Sequence, residues 1–186
     1  MSFESRDEAG RKLSEKMAEE GLDPDIVLAC SISGFEVAKT VAEELGTELD
    51  LRLAESIDVP GESNTVVAGV ADEGTVWVDR TVKNKFQVSG AFIDHARIVK
   101  SRLLGLEKLK YSDNHALLAG KKVLLVDDVV TDSNRIAAAL GSVTKQGAVE
   151  ISFAAPLVSD SCLSHIRSFR TKHWSLTQTA RTTSGR

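Results

Sequence analysis

The amino-acid sequence predicts an α/β protein with an open, mostly parallel sheet flanked by helices. Apolar runs that do not alternate with polar residues, such as Val123–Val126 and Ala154–Val158, are typical of strands covered on both faces. Between such runs, apolar residues recur at helical spacing, so strands and helices alternate along the chain. The length of 186 residues and the hydrophobic content of 42% indicate one domain with a substantial core.

The first 53 residues predict a helix followed by a strand–helix–strand unit. Ala9, Leu13 and Met17 recur at four-residue spacing in the first helix. A strand–helix–strand order of this length is typical of a parallel crossover. The predicted elements are a helix over Ser5–Gly21, a strand over Ile26–Cys30, a helix over Glu36–Leu45 that ends at Gly46, and a strand over Leu49–Leu53.

The rest of the chain continues this alternation after a β-hairpin. In its long helix we expect Phe92, Ala96, Val99 and Leu103 to share one side. We expect residues 1–160 to form the domain, with residues 161–186 as a helix, strand and basic tail that complete or flank it. The predicted elements are the hairpin strands Thr65–Ala71 and Thr75–Val78, the helices Gly90–Leu106, Asn134–Gln146 and Asp160–Phe169, and the strands Lys121–Val126, Val149–Val158 and His173–Gln178.

Composition and charge exclude several classes of protein. The net charge is −4, but residues 1–73 carry −12 and residues 74–186 carry +8, so an anionic partner would meet the second part. Cys30 and Cys162 form no Cys-x-x-Cys pair, which argues against zinc ribbons and thioredoxin chemistry. No apolar run could cross a bilayer, and no secretory leader or nucleic-acid motif is visible. We expect a cytoplasmic protein that binds neither nucleic acid nor membrane.

The segment most informative about chemistry is the end of the strand at Val123–Val126. Asp127 and Asp128 follow it directly, and the polar loop Thr131–Asn134 leads into a helix. Ligands of open α/β sheets bind beyond the carboxyl ends of strands, and a helix N-terminus favours an anion. Carboxylates can accept hydrogen bonds from sugar hydroxyls or hold Mg²⁺. The pattern therefore predicts a sugar-phosphate site, with capping of the next helix as the structural alternative.

This segment resembles the phosphoribosyl-diphosphate signature of the type I phosphoribosyltransferases: four apolar residues, two acids, two apolar residues and a phosphate loop. The likeness spans residues 3–158 and is most specific to the uncharacterised, predicted phosphoribosyltransferases of bacteria and archaea. The residues that align in order are Phe3, Arg6, Ala9, Gly10, Leu13, the helix Glu36–Leu45 with Gly46, the turn Pro60-Gly61, and Val67–Gly74.

The resemblance implies a five-stranded parallel core with a small hood. It implies transfer of the phosphoribosyl group to a nitrogenous acceptor with release of pyrophosphate, Mg²⁺ as cofactor, and a homodimer. Asp127 and Asp128 would be the catalytic and metal-binding acids, which hold the ribose hydroxyls directly or through Mg²⁺. The residues that would enclose the 5-phosphate are Thr131, Asp132, Ser133, Asn134 and Arg135, and the pyrophosphate loop would be Ser31, Ile32, Ser33 and Gly34.

Three departures from the family pattern support a second function. Asp132-Ser133 replaces Thr-Gly in the phosphate loop, Ser31–Gly34 replaces Pro-Arg-Gly-Gly, and Ala54-Glu55 replaces a basic pair. Loss of a donor to developing charge typically costs ~10²–10³ in rate. Arg80, Lys83 and Lys85 either substitute for the lost cations or form a solvated basic face. The alternative function is that of a catalytically degenerate relative that senses a sugar phosphate or nucleotide.

Overall fold

The computed structural model describes residues 5–62, 64–112, 116–169 and 172–179. The helices are α1 (Arg6–Glu19), α2 (Phe35–Leu45), α3 (Arg80–Lys85), α4 (Gly90–Lys108), α5 (Ser133–Lys145) and α6 (Asp160–Ser168). The strands are β1 (Ile26–Ala29), β2 (Glu48–Leu51), β3 (Ala54–Asp58), β4 (Val66–Ala71), β5 (Val76–Val78), β6 (Lys122–Val126), β7 (Val129–Val130), β8 (Glu150–Ser159) and β9 (Lys172–Thr179).

The main sheet is parallel throughout and confirms the predicted fold class. β1 lies between β2 and β6, and β8 pairs with β6 and β7 along one side and with β9 along the other. β6 and β7 keep one register on β8, because Val126 pairs with Ala154 and Val129 with Leu157. Between these pairs the Asp127 N–H donates to the carbonyl of Ala154 and the Leu157 N–H donates to the carbonyl of Asp128, so both acids are held on β8 beside Pro156.

A small antiparallel sheet of β3, β4 and β5 forms the predicted hood. The sequence predicts the β4–β5 hairpin but not β3 or the short helix α3. The small sheet packs closely on α5: a Cβ at Gly69 of β4 would lie 2.1 Å from the carbonyl oxygen of Asn134. Only glycine allows this approach, which fixes the hood over the N-terminus of α5.

The core lies on both faces of the main sheet. Leu13, Val37 and Val67 belong to a cluster that joins α1, α2 and the hood on one face. Ile136 and Ile166 belong to the cluster of α5 and α6 on the other face. Fully buried strands such as β1 explain why their apolar runs do not alternate with polar residues.

The four residues predicted to share one side of the long helix differ in burial, because Phe92 and Ala96 pack against the core and the other two do not. In α4, Ile93 and Leu104 are buried, whereas Val99 and Leu103 are 42% and 60% exposed. The helix carries apolar residues around more than one side, so periodicity alone could not select the face that packs on the hood.

The C-terminal elements join the main sheet. β9 extends it beside β8, and α6 contacts α5. The proposed division after residue 160 stays a prediction, and residues 180–186 of the expected basic tail lie outside the described residues. None of the described helices is long and apolar enough to span a membrane.

Candidate functional site

The parallel pairing of β1 with β6 brings two predicted segments to one edge of the sheet. The loop Ser31–Gly34 follows β1, and Asp127 and Asp128 follow β6. The Ser31 hydroxyl donates to Asp127 Oδ1 at 2.6 Å, and the Ser33 hydroxyl donates to Asp128 Oδ1 at 3.1 Å. The structure therefore joins the acidic pair and the predicted pyrophosphate loop, while their roles stay predictions.

Asp127 is fully buried, and both of its carboxylate oxygens accept hydrogen bonds from the protein. Oδ1 accepts from the Ser31 hydroxyl and from the N–H of Asp128 at 3.0 Å. Oδ2 accepts from the guanidinium of Arg135, which also donates to the carbonyl of Val129. Burial raises the pKa of Asp127 above its usual value, while Arg135 and Ser31 oppose the shift. Asp127 thus holds the site together rather than facing the cleft.

Asp128 is the more exposed carboxylate of the acidic pair. Its side chain is 15% exposed and accepts from Ser33 and from the N–H of Val129 at 2.8 Å. The half-exposed Arg6 approaches Oδ2 at 3.4 Å and lies 3.9 Å from Glu36. Asp128 and Arg6 therefore place one accessible acceptor and one adjacent cation beyond the end of β6.

The loop Ser31–Gly34 packs tightly against the acidic pair. A Cβ at Gly34 would lie 2.8 Å from Asp127 Oδ1, so the retained glycine is required by close approach. Gly34 caps α2 without a side-chain hydrogen bond, and its own N–H donates to the Ser31 hydroxyl. Within this loop the donors are two hydroxyls and backbone N–H groups, with no cationic side chain.

At the other predicted loop, the N-terminus of α5 is already occupied by a carboxylate. Asp132 accepts from the N–H groups of Asn134 at 2.9 Å and Arg135 at 3.3 Å. The Ser56 hydroxyl of β3 donates to the same carboxylate at 2.6 Å. The sequence predicts that the N-terminus of this helix binds a ligand phosphate. In the structure, a carboxylate of the protein itself accepts from these N–H groups.

The remaining side chains of the predicted phosphate loop point to different partners. Ser133 pairs with Nδ1 of His165 at 2.7 Å, Asn134 is buried, and Thr131 is exposed. Arg135 extends toward Asp127 and does not reach across the loop. The five predicted residues are contiguous in sequence, yet their side chains do not converge on one point.

A cleft of about 410 Å³ opens between the loop after β1 and helix α4. Its walls include Ser33, Leu103 and the ion pair of Lys100 with Glu55 at 2.9 Å. Cys30 also lines it, but burial raises the pKa of this thiol well above its usual value, which disfavours a reactive thiolate.

Sequence reasoning missed several polar residues that contact the cleft or the predicted loops. Lys100, from a helix predicted only as an amphipathic element, pairs with the Glu55 that replaces the family's cation. Ser56 was missed because β3 was not predicted. Arg80 and Lys83, the suggested substitutes, instead line a separate cavity against β5 and α4.

Comparison with known proteins identifies the family. The model of the phosphoribosyl transferase domain matches residues 4–172. The chain belongs to this family. A Mycobacterium tuberculosis protein with a provisional name as a phosphoribosyl transferase is 24% identical over 174 residues, which cover 90% of this chain and 38% of that protein. The chain therefore spans less than two-fifths of the length of this curated relative.

Solved structures confirm the type I phosphoribosyltransferase fold. The TT1426 protein of Thermus thermophilus is 25% identical, with a TM-score of 0.78 over 99% of this chain and 88% of that chain. Orotate phosphoribosyltransferase of Mycobacterium tuberculosis, solved with 5-phospho-α-D-ribosyl 1-diphosphate, is 14% identical with a TM-score of 0.53 over 94% of this chain and 74% of that chain. The latter similarity supports the fold alone.

Proposed function

We propose that this chain binds a ribose phosphate or nucleotide beyond the carboxyl ends of β1 and β6, and acts as a sensing or regulatory member of its family. The observation that carries the proposal is the position of the Asp132 carboxylate on the N–H groups of α5. A phosphoribosyltransferase must hold the anionic ends of its substrate firmly during transfer. Here one of the two expected anion positions is filled by the protein itself.

Binding of a ribose ligand is supported by the groups that lie beyond the ends of β1 and β6. Asp128 offers a carboxylate that can accept hydrogen bonds from vicinal hydroxyls, and Ser33 positions it. The N-terminus of α2 and the guanidinium of Arg6 offer donors to an anionic group. The proposed ligand therefore places its ribose at Asp128 and an anionic group beside the loop that follows β1.

Efficient phosphoribosyl transfer is disfavoured by the same geometry. The departing pyrophosphate needs donors to its developing charge, and the loop Ser31–Gly34 carries no cationic side chain. A substrate phosphate at α5 would meet Asp132, and two like charges about 4 Å apart repel by roughly 1–4 kcal/mol, depending on the effective dielectric. Transfer would require Asp132 to leave the helix N-terminus before the substrate bound.

The residues present do not fit a directly bound Mg²⁺ in this arrangement. Asp127 already pairs with Arg135, and both oxygens of Asp128 have protein donors nearby. Among the described residues, no group of three or more His, Cys, Asp or Glu is placed to hold a metal. The ligand therefore binds without a protein-bound Mg²⁺. In the experiment below, Mg²⁺ is added only as an ion that the phosphate groups of the ligand can carry.

The experiment combines binding with a turnover assay on the same preparation. Calorimetry with ribose 5-phosphate, AMP and phosphoribosyl diphosphate, with Mg²⁺ or EDTA, measures affinity. Pyrophosphate release is followed across a panel of nucleobases. We expect binding of at least one ligand without pyrophosphate release. Release with any base would refute the sensing role, and no binding at millimolar ligand would refute the ligand class.

A matched pair of variants tests where the ligand binds. Asp128→Asn removes the accessible carboxylate, and we expect a loss of affinity of ~10–100-fold, typical of a hydrogen bond to a charged group. Asp23→Asn makes the same change on an exposed loop and should bind like the unmodified protein. Equal affinity of both variants would place the ligand elsewhere.

A further inference from the structure

The hood ends in a strand whose outer edge has no backbone partner among the described residues. β5 is the last strand of the small sheet, and β4 is its neighbour. The carbonyl of Thr75 accepts a hydrogen bond from β4, and the N–H of Asp79 donates one to it. Because hydrogen-bonded pairs alternate along an antiparallel ladder, Trp77 also bonds to β4, whereas the N–H and C=O groups of Val76 and Val78 point to the open edge.

This edge lacks the residues that usually keep the edge of a sheet unpaired. Charged side chains and proline within an edge strand hinder the addition of another strand. The strand β3, at the opposite edge of the hood, carries Glu55 and Asp58. In contrast, β5 consists of Val76, Trp77 and Val78, which are residue types that favour strands, and it carries no charge. The open edge of β5 is therefore suited to pairing with a further strand.

We propose that this edge, which we call the β5 edge (Val76–Val78), binds an extended, acidic segment of a partner protein that adds to the three-stranded hood as a fourth strand. In this mode of recognition, main-chain hydrogen bonds provide affinity, and cavities that receive alternate side chains provide specificity. Val76 and Val78 offer two N–H donors and two carbonyl acceptors to the added strand.

Cavities lie on both sides of the β5 edge. The aromatic cavity, of about 590 Å³, is lined by Trp77 and by His165 of α6. The basic cavity, of about 450 Å³, is lined by Lys83 of α3 and by Ile93 of α4. Arg80 and the two valines of β5 line both cavities, so the edge lies between them. Side chains of an added strand point alternately to its two faces and would enter the two cavities in turn.

The charges around the basic cavity favour an acidic partner. Within the described ranges, no acid lies within ion-pair distance of Arg80 or Lys83. Asp94 lines the same cavity, but its carboxylate lies 3.8 Å from the guanidinium of Arg97. The two cations are therefore left for carboxylates of a partner, in agreement with the net charge of +8 of residues 74–186.

The aromatic cavity favours an apolar side chain on the other face of the added strand. The ring centroids of Trp77 and Phe169 lie 4.9 Å apart, and those of His165 and Phe169 lie 5.2 Å apart. Trp77 is still 39% exposed, so part of its ring remains for a partner. Ser133 fixes the imidazole of His165 through Nδ1 at 2.7 Å. The proposed segment therefore alternates acidic side chains toward α3 and α4 with apolar side chains toward α6.

Fluorescence anisotropy of labelled peptides, titrated with the full chain, tests this pattern. The first peptide alternates glutamate and leucine over about nine residues, the second contains the same residues in two blocks, and the third has lysine in place of glutamate. We expect the first peptide to bind, and the other two to bind at least ~10-fold more weakly. No binding of the first peptide at ~1 mM, or equal binding of all three, would overturn the proposal.

Variants of the chain test whether the peptide binds at the β5 edge. Val78→Pro removes an N–H that points to the open edge and leaves the hydrogen bonds with β4, so we expect at least ~10-fold weaker binding at a similar melting temperature. Lys83→Glu should weaken binding at least ~3-fold, whereas Lys39→Glu, the same change on a lysine of α2 that is 59% exposed, should not. Unchanged affinity of Val78→Pro and Lys83→Glu would place the peptide elsewhere.

The alternative occupant of the edge is a second copy of this chain. Sedimentation without peptide distinguishes the two, since Val78→Pro and the unmodified protein should have the same oligomeric state if the edge serves a different partner. A change of oligomeric state in Val78→Pro would overturn the proposal. No ribose ligand is present in these experiments, so their failure would leave the proposed function intact.

Discussion

Removing the charge of Asp132 is the most direct test of the closed phosphate position. Asp132→Asn keeps the size of the side chain and leaves one oxygen that can cap α5, but it removes the internal anion. We expect the variant to bind inorganic phosphate and ribose 5-phosphate more tightly than the unmodified protein does, because the N-terminus of α5 then lacks a resident negative charge.

The magnitude follows from the contacts of the carboxylate. A phosphate that approaches the N–H groups of Asn134 and Arg135 comes within about 4 Å of Asp132, where like charges repel by roughly 1 kcal/mol in water and roughly 4 kcal/mol at an effective dielectric of 20. The expected gain in affinity is therefore ~5-fold to several hundred-fold. The cap and the Ser56 contact weaken, so the free energy of unfolding should fall by about 1 kcal/mol.

Isothermal calorimetry with phosphate and ribose 5-phosphate measures the affinity, and urea unfolding measures the stability. Asp79→Asn is the matched control, because Asp79 caps α3 through the N–H groups of Thr81 and Val82 and lies on a different loop. It should lose similar stability without gaining phosphate affinity. If Asp132→Asn and the unmodified protein bind phosphate equally well, the carboxylate does not close the position and the reasoning is wrong.

The remaining predictions concern stability. Arg135→Met should lower the free energy of unfolding by about 3–5 kcal/mol in urea titrations, because it leaves Asp127 buried without its cation; a loss below 1 kcal/mol would contradict this. Gly69→Ala should lower the melting temperature and loosen the hood, because its methyl group would collide with the backbone of α5. Gly90→Ala is the control, since its added methyl group meets no atom within 4 Å. Equal melting temperatures of the two variants would show that the contact between Gly69 and α5 is unimportant. Burial raises the pKa of Asp72 to about 6 in the folded protein against 3.8 for the free residue, so its contribution to stability is fully present below pH ~4 and is lost as pH rises through 6. The free energy of unfolding should therefore fall by up to about 3 kcal/mol between pH 4 and 7, and this fall should be absent in Asp72→Asn. Urea unfolding at a series of pH values measures it, and the same pH dependence in both proteins would refute the reasoning.

The fold was largely predictable because its signals are local. The unalternating run of β6 and the helical stripe of α5 each lie within a dozen residues, so neighbouring positions suffice to identify them. β3 was missed because its sequence, Ala54–Asp58, mixes charged and small residues and is stabilised by pairing with β4. The exposure of Val99 and Leu103 on α4 could not be predicted, because an apolar stripe on a helix does not indicate which surface packs against it.

The site was predictable in position and much less so in contacts. Sequence reasoning placed the acidic pair at a strand end and the Ser31–Gly34 loop at another, and the pairing of β1 with β6 joins them. It did not reveal that Asp127 is fully buried, nor that Asp132 accepts from Ser56 of a strand that had not been predicted.

The sequence alone determined the alternation of strands and helices, the hairpin of the hood and the position of two carboxylates at the end of β6. These features depend on periodicity and strand ends, which adjacent residues encode. Tertiary structure decided which carboxylate of the acidic pair stays partly exposed and which anion caps α5. Ser31 and Asp127 are 96 positions apart, and Ser56 and Asp132 are 76 apart. Contacts across such separations depend on how strands are ordered in the sheets, and that order is fixed only when the whole chain packs its core.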